Sequence, residues 1–126
     1  MKVILLIMIG LSLLQADFIR DDAKEVVIDT TTDLMWQDDS DTNTTTHNWN
    51  DAIDYCEALT LGGYSHWRLP NKNELYLLAD RSKHEPALSS VFQNLSSSLY
   101  WSSTTFAQNT SNAWDVDFHD GYGNAH

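Results

Sequence analysis

Asp39, Asp41 and Asn43 stand at alternate positions, the spacing with which a calcium-binding loop opens. Such a loop needs glycine at its sixth place and a bidentate glutamate at its twelfth; Thr44 and Asn50 stand there instead. The run reads as a solvated acidic loop. Asp115, Asp117 and Asp120 offer a second set of oxygens, the first two on one face of an alternating strand. Together with Trp101, whose ring face can stack on a sugar, they are the candidate ligand-binding residues, against the competing reading of an acidic surface over an aromatic core. Acid–base and nucleophilic chemistry find no constellation. His47, His66, His84, His119 and His126 show no metal-ligand spacing, and no G-x-S-x-G elbow or glycine-rich phosphate loop occurs. Cys56 is the one thiol. It falls on an apolar helix face, where a thiol stays protonated and inert. The expectation is a non-enzyme with no cofactor and no metal.

The elements that position these residues can be read from local pattern. Val26–Ile28 and Leu34–Trp36 are β-prone runs joined by the polar Asp29–Asp33, as in a hairpin. Asn48 can cap a helix in which Trp49, Ala52, Ile53, Cys56 and Leu59 share a face, and Gly62-Gly63 is expected to end it. In Trp67-Arg68-Leu69-Pro70-Asn71-Lys72-Asn73-Glu74-Leu75 a strand end meets a proline and a second helix start. Asn71 and Glu74 form an asparagine version of the capping box. Residues 81–98 are irregular, with Leu88, Val91 and Phe92 as anchors. Leu99–Phe106 is a strand, followed by alternation of Trp114, Val116 and Phe118 with Asp115, Asp117 and His119. Asp120-Gly121 reads as a turn.

Composition bounds the setting. Lys2, the twelve-residue apolar run from Val3 to Leu14 and the small Ala16 have the layout of a secretory signal peptide over residues 1–16, cleaved after Ala16. The run is too short for a membrane span, which takes about 20 apolar residues. Residues 17–126 would then form one domain. Losing Lys2 leaves 6 basic against 18 acidic side chains, a net charge of −12. So acidic a surface repels nucleic acid, anionic lipid and sulfated polysaccharide. Five Trp and five Tyr point to an aromatic core. A single cysteine is unusual for an exported domain, which ordinarily pairs its thiols.

Four words in order, "RDDAKEVVIDTTTDLMWQDD", Trp49 to Cys56, "LTLGGYSHWRLPNKNEL" and "YWSSTTFAQNTSNAWDVDF", resemble the Lcl C-terminal domain family, named from the tail domain of a Legionella collagen-like adhesin. The resemblance implies an α+β, C-type-lectin-like fold, two helices packed on short, mostly antiparallel strands. Relatives usually carry glycine where this chain has Asp33. They also continue to a last strand whose cysteine would bridge to the position of Cys56, so the chain reads as a C-terminally truncated member: last strand missing, Cys56 unpaired, a neighbouring ladder left open. Trp49-Asn50-Asp51 spells a triplet that sugar-binding C-type lectins use on a late strand to hold calcium, but here it opens a helix and is set aside.

The resemblance implies a secreted, periplasmic or cell-surface bacterial protein, a non-enzymatic binding or adhesion module that does not insert in a membrane once its leader is gone. The named adhesin binds sulfated glycosaminoglycans. The charge of this chain argues instead for an uncharged glycan or a surface protein as partner. The alternatives are a structural unit pairing through an open strand edge, as a homo-oligomer for example, or a non-functional remnant.

Overall fold

The computed structural model describes residues 4, 6–8 and 18–126; the leader reading falls mostly outside them. A four-stranded antiparallel sheet has the order β1 (Leu6–Met8), β4 (Leu34–Gln37), β3 (Val26–Asp29), β2 (Phe18–Asp21). The expected hairpin is β3–β4, with Val27 opposite Trp36. In its turn the Asp29 carboxylate accepts the Thr31 N–H at 2.9 Å. Asp33 takes the left-handed conformation, φ +57°, which aspartate tolerates better than most residues. Every residue of β4 is buried. Leu34 and Trp36 enter one core cluster with Leu75, Leu78, Tyr100 and Phe118, while Met35 enters another with Ala52, Cys56, Trp67 and Trp101. A strand covered on both faces needs an unbroken apolar run, and Leu-Met-Trp supplies it.

The polar loop after β4 contains a one-turn helix, α1 (Asp41–Thr44), that its sequence did not suggest. Helix α2 (Trp49–Ala58) begins where Asn48 accepts the Asp51 N–H at 2.9 Å, and it buries Ala52 and Cys56 as the spacing predicts. Gly62-Gly63 does not end it: α2 stops at Ala58, with Leu59 extended. The two glycines, at φ +62° and +85°, turn the chain between Leu61 and Tyr64, which exchange backbone hydrogen bonds of 3.0 Å. Such a two-residue turn needs positive φ at both places. Helix α3 (Lys72–Leu78) carries the complete capping box of Asn71 and Glu74. Its start is docked on the second sheet by Lys72 N–H to Thr104 Oγ1 at 2.9 Å and by Ser103 N–H to Pro70 O at 2.8 Å.

That second sheet runs β5 (Leu99–Phe106), β6 (Asn109–Asp117), β7 (Tyr122–Ala125), all antiparallel. The missing last strand is therefore a correction. Gly121, at φ +89°, donates its N–H to Asp117 O at 2.7 Å, and the chain returns at once to pair Tyr122–Ala125 with Trp114–Asp117. Four residues suffice for a strand, so β6 has a neighbour on both sides. The irregular segment 80–98 is stitched to the end of β6 by backbone bonds. Ala87 donates to Phe118 O at 2.7 Å, Glu85 to His119 O at 3.1 Å, and Phe118 to Ser98 O at 2.9 Å. Strands, two longer helices and strands again make an α+β domain.

Candidate functional site

The four sequence-derived candidates do not gather into one pocket. Trp101 is buried, and its indole N–H donates to His47 O at 3.0 Å. Asp115 faces it across the β5–β6 ladder and is fully buried, not exposed on the polar face that strict alternation gave it. The reason is β7, which brings His126 back against it. One carboxylate oxygen pairs with His126 Nδ1, and the other has no partner among the described residues. Burial pushes the Asp115 carboxyl above its ordinary range, and the His126 contact offsets this only in part. Asp117 and Asp120 instead shape the β6–β7 turn. They accept the N–H groups of His119 and Tyr122 at 2.9 and 3.1 Å. Among the described residues no group of three or more His, Cys, Asp or Glu side chains could hold a metal ion.

The calcium-like loop is committed to the protein itself. Gln37 Nε2 donates to Asp39 at 2.7 Å, and Tyr55 donates to Asp41 at 2.9 Å. Burial raises the Asp39 carboxyl, against the Gln37 bond that lowers it. Cys56 is fully buried and its thiol is pushed up to about 12, by burial first and by nearby Glu57 second. A thiol so protonated at neutral pH is a poor nucleophile.

A recess that sequence reasoning missed lies elsewhere. Between the four-stranded sheet and the start of α3 is a groove of about 490 Å³. Its apolar floor is formed by Phe18, Leu34, Trp36 and Leu78, and Thr31, Thr32, Asn71 and Asn73 stand at its polar edge. Three separate elements build it. β2 presents Phe18, held against Phe92 with ring centroids 5.8 Å apart. Arg20 of the same strand is pinned by its Nε to Asp38 at 2.7 Å. β4 presents Leu34 and Trp36. α3 presents Leu77 and Leu78, with its first turn fixed by the capping box and by Arg68, which grips both Glu74 oxygens at 2.8 Å. Although burial pushes the Glu74 carboxyl up, Arg68 and the Asn71 N–H hold it below its ordinary value. Two features single the groove out. Trp36 is 1% exposed and its indole N–H has no hydrogen-bond partner among the described residues, a costly state for a buried donor. Leu77 is 70% exposed. The signal in the sequence was Leu77 itself, a large apolar residue off the face shared by Leu75 and Leu78.

Fold and groove together define an α+β domain with a recessed, largely apolar face and polar groups around it. Among the described residues no helix is long and apolar enough to cross a membrane. The model of the Lcl C-terminal domain matches residues 25–126, and the chain belongs to that family. No curated protein and no solved structure matches the chain.

Proposed function

We propose that this chain is a secreted or surface-exposed, non-enzymatic binding module of the adhesion type, and that the groove beside α3 receives an uncharged glycan. The observation that carries the reading is the largely apolar recess itself, lined by Phe18, Leu34, Trp36 and the exposed Leu77. Pockets that hold small ligands have this character: an apolar lining with a few placed polar groups. The hydroxyls of Thr31 and Thr32 and the amide of Asn73 supply groups that a sugar's hydroxyls would meet. The excess of 18 acidic over 7 basic side chains disfavours a sulfated or phosphorylated ligand. Family membership supports the reading, because the family takes its name from the tail of an adhesin. The C-type-lectin-like architecture and the surface location belong to the same proposal.

The test is a screen of the chain against neutral and sulfated glycans, repeated with Leu77→Asp and Asn73→Ala. Both positions are exposed, so the fold tolerates them. The expected result is neutral-glycan binding that weakens about tenfold or more with Leu77→Asp. Binding lost instead with Asp117→Asn or Asp120→Asn would move the site to the β6–β7 turn. Capture of a surface protein with no glycan bound would overturn the glycan assignment.

A further inference from the structure

β4 has a neighbour on each edge, β3 on one side and β1 on the other. β1 comes from the very stretch whose composition reads as a removable leader. Ile4, just ahead of it, is fully buried in the cluster of Leu34, Trp36, Leu75 and Leu78. A strand buried on both faces cannot leave one edge unpaired without stranding backbone N–H and C=O groups away from water. Removal of residues 1–16 would therefore open a slot along Leu34–Trp36 and a hole where Ile4 sits.

We propose that this slot is a strand acceptor. While the leader is attached, Ile4 and the strand Leu6–Met8 fill it in cis. Afterwards it takes an apolar extended segment of another protein, laid antiparallel to β4 and flanked by basic residues. The seated segment shows what fits: Leu6, Ile7 and Met8 lie opposite Trp36, Met35 and Leu34, in an unbroken apolar run headed by Lys2. In strand addition, main-chain hydrogen bonds supply affinity and apolar side chains supply selectivity. The acidic remainder of the chain draws a basic flank toward the slot. Slot and groove share Leu34 and Trp36, but the inference does not rest on the glycan reading. One is read with a peptide, the other with sugars.

The experiment uses the full chain, its Ile4→Asp variant, and a labelled probe peptide with the sequence of residues 2–9 followed by lysines for solubility. The Ile4→Asp chain is expected to bind the peptide about tenfold or more tightly than the unaltered chain, whose own strand competes at high effective concentration. A peptide carrying Ile7→Pro, which cannot complete the ladder, is expected not to bind. Equal binding by both chains, or of both peptides, would overturn the proposal. So would an Ile4→Asp chain that dimerises and ignores the peptide, which would give the slot to a second copy. If Ile4→Asp does not fold, a chain with Ile7→Cys and Met35→Cys decides, since these positions are register partners within reach of a disulfide. Oxidation should link them, and excess probe peptide should slow the linkage. Failure of either result refutes the slot.

Discussion

Asp38, just past the end of β4, and Asp115, near the end of β6, are both fully buried, yet their surroundings are opposite. Asp38 has every acceptor used. Arg20 Nε reaches one oxygen at 2.7 Å, and the N–H groups of Gln93 and Asn94 reach its carboxylate at 2.9 and 2.8 Å. Its backbone carbonyl takes Arg20 Nη2 at 3.0 Å and the Asn94 side-chain amide. One residue thus ties β2, β4 and the irregular segment together. Among the described residues the Asp115 carboxylate pairs with His126, whose side chain is half exposed, and its other oxygen has no partner. A buried charge with a full set of donors is a permanent fastener. One with a single exposed partner is a cost that its surroundings only partly offset.

Asp38→Ala separates the two most sharply. It strips Arg20 Nε and the Gln93 and Asn94 N–H groups of their acceptor, while Asp22 and the residue-38 carbonyl still hold the rest of the guanidinium, and is expected to cost about 3–5 kcal/mol in denaturant unfolding. A cost near that of an exposed substitution would break the contrast. Gly121→Ala, in the turn that delivers His126 to Asp115, forces a side chain into φ +89° with its Cβ 3.0 Å from Ala79 Cβ and Arg81 Cγ. The backbone term alone is about 1–2 kcal/mol, again read by denaturant unfolding. The smallest effect, and the most diagnostic, is that of pH on Asp115. Its folded-state pKa lies above the ordinary 3.8, so over the window between the two values the folded chain binds more protons than the unfolded one. Stability then falls as pH rises through that window. Asp115→Asn should remove this dependence. The unaltered chain should gain stability relative to the variant as pH drops from 7 toward 4; an unchanged difference would mean that the carboxylate is not penalised by burial.

The sequence revealed most where cause and effect lie within a turn of chain. The capping box of Asn71 and Glu74, the Asn48 cap, the buried placement of Cys56 and the β3–β4 hairpin all depend on residues three or four apart, or on one short polar turn. Misreadings came from longer range. Strict alternation put Asp115 in water because nothing local announces that His126, eleven residues on, returns beside it. The glycine pair reads as a helix end, whereas α2 stops at Ala58 and the glycines turn the chain between Leu61 and Tyr64. Of the groove the sequence carries one hint, Leu77 off the buried face of α3, and not its walls. Phe18, Leu34 and Leu78 come from three elements whose arrangement the tertiary fold alone decides.

Residues 80–98 carry one more consequence. They have no helix or strand, yet Ala87, Glu85 and Phe118 join that stretch to the tail of β6 through main-chain bonds, and Ala87 and Leu88 are buried. Order here does not depend on periodicity. In a deuterium-exchange experiment the Ala87 amide should persist like one in a sheet, while the neighbouring Ser82 and His84 amides trade within the first time points. A map of rigidity drawn from regular structure alone would leave out this plaster between the two sheets.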